Sequence, residues 1–522
     1  MELFCALGLI TLCIIAFAHE KCPEGPLFQS KALNKATPVV ICFIIAFVFS
    51  ITLDLCPFNS ELPKTDSSVF LYIGKAMFNG SVPYKDLFDH KGILLYFIQF
   101  LGFVIGFGSQ IGVFVLEVLN ILATALIFYK ICKIFTANEF VCFFSVAAVL
   151  LFCTTGFFEG GNLVEEYALV WISLSLYFVC KFFSDKTYEN WHIVIIGVCF
   201  AVVFFLRVNM VGVWGGLLLP VVICFLKNKR FTELYKAALW FLVGFAAVSV
   251  PVMIYLFITG SFREMIDCYL VFNFSYVDST SKSGVITFLF DCIALTPIAT
   301  FFVIYSITAH AKNQLTHINL ISLIFAYLSS AISGRSYPHY GIILIPFFVI
   351  PTVLCVSDFL KKAKNIKFAA LKNSILIFIC VLCLSFAISD KENKRDNLAS
   401  NESKEPDEVV EYILQNSGED DDVLVIGNDV AYYFKFNRST KNKFFYQTPP
   451  IEVSTEIYNE FIEEMDKHPS DFIVVPKPDY SKEDEPSNQT IIANKFYYEY
   501  EVLGIYRLKE LDNHFIYVRK EG

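Results

Sequence analysis

Blocks of 16–23 mostly apolar residues recur along this chain up to residue 389, separated by short polar loops, and then stop. A bilayer core of about 30 Å takes about 20 helical residues, so each block suits a membrane-crossing helix. The predicted spans are 37–54, 110–129, 138–156, 165–183, 191–206, 211–226, 236–258, 285–307, 317–333, 341–358 and 371–389. Residues 3–18 have the length of a signal peptide, but Glu2 stands where a basic n-region belongs, so they read as one more helix. The expected fold is an all-α polytopic membrane protein of about 11–12 transmembrane helices over residues 1–389. After Asp390 the rhythm changes. SKEPDEVVEYILQNS reads as a helix, VLVIGN (423–428) and DFIVVPK (471–477) as strands, and EVLGIYRL with FIYVRK as a terminal strand pair. Residues 390–522 are therefore expected to form a small soluble α/β domain. They hold no nucleophile–base arrangement, and acceptor binding, a lid and a passive cap all stay open as its role.

Lysine placement orients the spans, because cytoplasmic loops are enriched in Lys and Arg. Lys31 and Lys35, Lys130 and Lys133, Lys181 and Lys186, Lys227 with Lys229 and Arg230, Lys312, and Lys361 with Lys362, Lys364 and Lys367 mark every second loop. Loops 55–109, 156–164, 207–210, 259–284 and 334–340 then face the extracytoplasmic side, with the C-terminal domain. Lys64, Lys75, Lys85 and Lys91 run against the bias, in a loop long enough for the rule to weaken. Residues 92–108 cannot span without inverting every later loop, so an interfacial or re-entrant helix under the first loop is expected. The five sequons, at Asn79, Asn273, Asn401, Asn437 and Asn488, all fall outside in this arrangement.

Composition agrees with a multi-pass protein of the cell (plasma) membrane. The chain has 522 residues, 56% of them hydrophobic and 17% charged, against roughly 25% charged in soluble domains. Its mean hydropathy is +0.56. The net charge of −9 is uneven: residues 390–522 hold 29 acids against 16 bases. An acidic soluble part excludes nucleic acid as a partner. The 16 cysteines lie between Cys5 and Cys383, mostly in apolar spans, and behave as small packing residues. Cys380 and Cys383 form a CxxC without the second pair or histidine that a metal or redox site needs.

The unusual polar residues gather in the loops of one face. The first loop, Asp66 to Phe97, alternates aromatics with charges and carries Asp66, Asp86, Asp89, His90 and Lys91. Ionisable groups held at a membrane face are costly, so a cluster there points to function. FFEGGNLVEEYALV places Glu159, Glu165 and Glu166 at the lip of the next span; LRVNM brings Arg207 and Asn209; SGRSYPHYG brings Arg335, His339 and Tyr340. An acid of near-neutral to raised pKa can take a proton from an acceptor hydroxyl. Cations can hold a phosphate leaving group, and aromatics can stack on sugars and isoprenoid tails. Structural readings compete at each position: headgroup anchoring for Arg207 and Arg335, interfacial hydrogen bonding for His339, helix-end charge for Glu165 and Glu166, and capping for Asp66. As a set, they suit transfer of a sugar from a lipid-linked phosphate. No Walker motif is present.

An apolar span followed by an acid in the first loop and an aromatic-rich run ending in DHKG-hydrophobic resembles the GT-C superfamily of integral membrane glycosyltransferases. Within it the likeness is to the bacterial protein-mannosyltransferase-like branch, which includes the lipid A aminoarabinose transferases. It covers residues 37–390 in layout, supported by NLVEEYAL, LRVNM and GRSYPHYG. The resemblance implies a polyprenyl-phosphate sugar donor, inverting transfer to an extracytoplasmic glycan, lipid or protein, and Asp66 as base. It matches Glu165 or Glu166 to a second catalytic acid and Lys91 to a donor-phosphate contact. Asp86, Asp89, His90, Arg207, Arg335, His339 and Tyr340 complete the expected substrate site. Two features depart from the pattern: Ser67 replaces a second acid after the first, and DHKG replaces EKPP. No cofactor is certain, although Asp89, His90 and His339 could ligate a divalent metal. A lipid-linked oligosaccharide flippase or transporter, and a surface polysaccharide polymerase or ligase, are the alternative functions.

Overall fold

The computed structural model describes residues 31–58, 63, 66–152, 155–274, 284–363, 407–448, 450–477 and 505–520. The expectations at 3–18, at span 371–389, at Cys380 and Cys383, and at sequons Asn401 and Asn488 lie outside these residues.

The helical part runs α1 (Lys31–Ser50), α2 (Asp66–Phe78), α3 (Ile93–Ile105), α4 (Ile111–Phe135), α5 (Glu139–Ala147), α6 (Val164–Asp185), α7 (Asn190–Leu206), α8 (Val213–Lys227), α9 (Phe231–Thr259), α10 (Gly284–Leu295), α11 (Pro297–Ala309), α12 (Gln314–Ala331) and α13 (Val349–Ala363). Among the described residues, five helical stretches are long and apolar enough to cross a membrane: Ile111–Phe135, Val164–Asp185, Val208–Lys227, Phe231–Thr259 and Pro338–Lys361. The chain is an integral, multi-pass membrane protein. Four more apolar runs build shorter helices, Ala36–Ser50, Ile93–Ile105, Glu139–Leu151 and Asn190–Leu206. With the bent pair Gly284–Leu295 and Pro297–Ala309 counted as one, the described residues hold up to six such spans beside these four shorter apolar helices.

The run at 285–307, expected as one span, is broken: α10 and α11 meet at 95°. Pro297 stands at the start of α11, and Thr296 before it leaves helical geometry at φ −130°, ψ 54°. Proline lacks the N–H that would continue the ladder and restricts its predecessor, so the helix restarts there.

Lipid accounts for the surface of α9. Leu239, Leu242, Val243, Val250, Ile254 and Phe257 are exposed along it, an arrangement that suits acyl chains and not water. Its inner face crosses α7 backbone against backbone. A Cβ on Gly197 would sit 2.2 Å from the Phe241 oxygen, and one on Gly244 2.0 Å from the Val194 oxygen. Small residues permit this approach in membranes, where burial alone gives helices little reason to associate.

With 13 residues, α3 is about 20 Å long, short of a crossing. It packs against both α2 and α4.

The C-terminal unit is a four-stranded mixed sheet in the order β1-β2-β4-β3. β1 (Val423–Val425) runs parallel to β2 (Phe472–Pro476), with Val423 opposite Phe472. β2 pairs antiparallel with β4 (His514–Arg519), Val474 opposite Ile516, and β3 (Tyr506–Glu510) forms the terminal pair with β4. α14 (Glu408–Asn416), capped by the Asp407 carboxylate, and α15 (Thr455–Lys467), capped by Ser454, complete the unit. Both strands lie within the expected VLVIGN and DFIVVPK runs, and the terminal pair overlaps EVLGIYRL and FIYVRK, whose residues 501–504 lie outside the described residues.

The segment between β1 and α15 docks on α2 and the following loop. Tyr72 stacks on Phe445 at 4.5 Å between ring centres, and its oxygen accepts from the Thr440 N–H at 3.1 Å. Lys75 Nζ donates to Asn437 Oδ1 at 2.8 Å, and the Phe88 N–H donates to the Lys443 carbonyl at 2.9 Å.

Candidate functional site

Asp66 is the first residue of α2, where a carboxylate meets the positive end of the helix dipole. Its neighbour Ser67 is held from below. Asn162 Nδ2 donates to Ser67 Oγ at 3.0 Å, while Asn162 Oδ1 accepts from Gln99 Nε2 at 2.6 Å and from the Tyr167 hydroxyl at 2.8 Å. Asn162 itself is in left-handed backbone, φ 53°, a conformation asparagine tolerates, and its N–H donates to Glu117 Oε1 at 2.7 Å. Gln99, Glu117, Asn162 and Glu166 are all fully buried. This inner polar network fixes where α2 begins.

Burial works to raise the Asp66 carboxyl, but Lys91 and His339 outweigh burial and Asp89, and the net direction is down. The sequence expectation of a neutral-to-raised acid is corrected: the nearby cations favour the ionised form. Asp66 therefore contributes to stability above the ordinary carboxylate range, and that contribution is lost as pH falls below about 4.

Lys91 is buried, its Nζ 5.7 Å from the centre of the Phe70 ring and 2.9 Å from His90 Nε2. Burial and Lys91 push His90 well below its usual value, so the ring is neutral. An ammonium can only donate, so Nε2 accepts from Lys91, and the proton sits on Nδ1, which faces Asp89 Oδ1 at 3.6 Å.

The chain at Asp89–Lys91 is clamped. Tyr84 donates to the Lys91 carbonyl at 2.7 Å, and the Lys91 N–H lies 3.1 Å from the Tyr96 oxygen. Tyr96 donates to Asp89 Oδ2 at 2.7 Å, and Tyr446, from the C-terminal unit, donates to Asp89 Oδ1 at 2.6 Å. Burial and the Asp89 charge hold the Tyr446 phenol well above its usual value, which keeps it a donor. Tyr84 has φ 68°, a strained conformation for a bulky residue that persists here because both its N–H and its hydroxyl are engaged. Gly92, which follows Lys91, must be glycine: a Cβ there would lie 2.0 Å from the Phe205 carbonyl oxygen. Its N–H donates to the Leu206 carbonyl at 2.9 Å, which ties the loop to the end of α7 beside Arg207.

Arg207 pairs with Glu165 at the start of α6 and lies over the Tyr340 ring at 4.3 Å. His339 pairs with Glu159 and stacks on Tyr337 at 5.6 Å. Arg335 Nη1 donates to the Tyr337 hydroxyl at 3.2 Å. The charges of Lys91 and His339 act on Asp66, and those of Asp66, Lys91 and Arg207 act on the His90 ring, so these groups lie near one another.

Not every expected residue enters it. Asp86 is exposed and closes its own turn, accepting from the Val82 N–H at 2.7 Å. Glu166, about 100° around α6 from Glu165, turns inward to Glu117, and its carbonyl accepts from Asn120. Glu165 is thus the acid on the site side. Among the described residues, no group of three or more His, Cys, Asp and Glu is placed to hold a metal ion. Asp89, His90 and His339 do not converge as a ligand set: Asp89 is occupied by tyrosine hydroxyls and His339 by Glu159.

Tyr96, Tyr446, Gln99 and Asn162 were absent from the sequence expectation. Asn162 had a signal, two glycines before it in an apolar lip. Tyr446, one of 26 tyrosines, had none.

No curated protein matches the sequence. The structure is similar to that of ArnT from Cupriavidus metallidurans bound to undecaprenyl phosphate, with a TM-score of 0.60 and 11% identity, covering 92% of this chain and 98% of that one. At that identity the likeness is one of fold, which is ArnT-like. The archaeal oligosaccharyltransferase AglB from Archaeoglobus fulgidus, in complex with an inhibitory peptide and a dolichol-phosphate, aligns at TM-score 0.47 and 12% identity, over 84% of this chain and 69% of that one. Residues 29–385 match the family described as "Putative competence-induced protein Ccs4 N-terminal domain", and the chain belongs to that family.

Proposed function

We propose that this chain is a membrane glycosyltransferase that moves a sugar, with inversion, from a polyprenyl-phosphate donor to an extracytoplasmic glycan, lipid or protein. The observation that supports the reading is the electrostatic pull of Lys91 and His339 on Asp66, together with the Arg207–Glu165 ion pair. In the proposed step the acceptor hydroxyl oxygen bonds to the anomeric carbon as the carbon–phosphate-oxygen bond breaks. The hydroxyl proton passes to the Asp66 carboxylate, and the bond's electron pair leaves on the phosphate, whose charge Lys91 and Arg207 offset. A carboxylate of lowered pKa is a weak base, but an oxocarbenium-like carbon acidifies the hydroxyl as the bond forms, and the standing negative charge favours the cationic sugar. The likeness to a structure that holds undecaprenyl phosphate supports the donor class. The test is direct: purified protein in nanodiscs, a radiolabelled polyprenyl-phosphate sugar and an envelope fraction as acceptor. Label reaching the acceptor supports the reading, and an untouched donor removes it.

Residues 1–389 form the transferase part in this reading and 390–522 an extracytoplasmic domain, in the plasma membrane. Single cysteines at Lys130 and Lys229, in a background stripped of native cysteines, should react with an impermeant maleimide only after the cell is opened. A cysteine in place of Asn437 should react in intact cells. Reversal of that pattern would put the site on the other face.

The pH profile follows from Asp66. Because its ionised form is favoured, the acid limb of the single-turnover rate lies below the ordinary aspartate value of about 3.9. The rate should stay flat between about pH 7 and pH 5. An acid limb near pH 6 would assign the proton transfer to another group.

A further inference from the structure

Resting on that reading, we infer that Tyr446 of the C-terminal unit is a positioning residue for Lys91, acting through Asp89 and Tyr96 across the junction between the unit and the membrane helices. Four bonds make the path. Tyr446 donates to Asp89 Oδ1 at 2.6 Å, Tyr96 donates to Asp89 Oδ2 at 2.7 Å, the Tyr96 oxygen lies 3.1 Å from the Lys91 N–H, and Tyr84 holds the Lys91 carbonyl at 2.7 Å. Tyr84, Asp89, Tyr96, Tyr446 and Lys91 are all buried, so water does not replace a lost partner without cost.

The docking around Tyr446 explains why it reaches Asp89. Phe445 stacks on Tyr72, Phe444 lies 5.4 Å from Phe88, and the Lys443 carbonyl accepts the Phe88 N–H. Three consecutive residues of the C-terminal unit therefore grip α2 and the loop, and the fourth enters the hydrogen-bond path. Asp89 accepts from two phenols and from the His90 N–H at 2.7 Å. Without the Tyr446 hydroxyl a buried carboxylate lacks one of its three donors. Tyr96 then turns to compensate, and the Lys91 backbone is released. This makes the C-terminal unit a working part of the donor site, and not a passive cap.

The experiment is a double-mutant cycle in the full chain. Equilibrium binding of undecaprenyl phosphate is measured for the wild type, Tyr446→Phe, Lys91→Ala and the pair. Lys91→Ala should weaken binding about ten- to a hundredfold and Tyr446→Phe about tenfold. The pair should bind no more weakly than Lys91→Ala alone. Acceptor KM in the transfer assay should not move for Tyr446→Phe, whereas a general loosening of the fold would shift it together with donor affinity. Additive losses, or a normal affinity in Tyr446→Phe, overturn the inference. A normal affinity in Lys91→Ala instead overturns the phosphate contact on which the inference rests, so the two failures are told apart. If Tyr446→Phe does not fold, Asp89→Asn takes its place in the cycle: it keeps the shape of the side chain and removes the charge that both phenols address.

Discussion

Asp66→Asn is expected to fold, to bind the donor, and to transfer sugar at least about a hundredfold more slowly than the wild type. The exchange keeps the size of the side chain and its place at the head of α2 while removing both the proton acceptor and the negative charge. Ser67 stays pinned by Asn162, so the start of the helix does not depend on the carboxylate. Single-turnover rates with saturating donor measure the effect without product release. A folded Asp66→Asn enzyme of near wild-type rate would return the residue to dipole complementation, worth at most about 1 kcal/mol at an accessible helix end.

The second large effect concerns stability. Arg207→Met should lower unfolding free energy by about 3–5 kcal/mol, because it leaves Glu165 charged, buried and without its cation. Removing both charges with Arg207→Met and Glu165→Leu should recover most of that loss, since an apolar pair of similar volume fits a buried site. Transfer should not recover with it. Thermal unfolding in detergent and single-turnover rate, measured on the same three proteins, separate the two roles. A double variant that regains both stability and rate would reduce the pair to scaffolding.

Periodicity made the helices legible, because each apolar run exceeds what a soluble core helix needs. Where one run broke, local chemistry decided. Pro297 was visible inside its run, but whether a proline kinks a helix or breaks it at 95° depends on the packing around it. The charged first loop was conspicuous because ionisable groups are rare at a membrane face, and the structure brings Asp66, His90, Lys91, Arg207 and His339 together. Glu165 and Glu166 were indistinguishable in sequence. Only the rotation of α6 sends one to Arg207 and the other to Glu117. Gln99 and Asn162 are isolated polar residues in apolar surroundings, and Tyr96 and Tyr446 are common residues whose partners are remote in the chain. Contacts between distant segments leave no local pattern to read.

The bond from Tyr446 to Asp89 joins residues 357 positions apart, and that distance is also a delay. At about 5–20 residues per second of synthesis, Asp89 emerges roughly 20–70 s before its partner exists. During that interval the helices can insert while Lys91 lacks the last member of its clamp. A chain released before Tyr446 is made would reach the membrane with Asp89 short of one of its hydrogen-bond donors. On the proposed function, competence for transfer would then wait for translation of the segment through Tyr446.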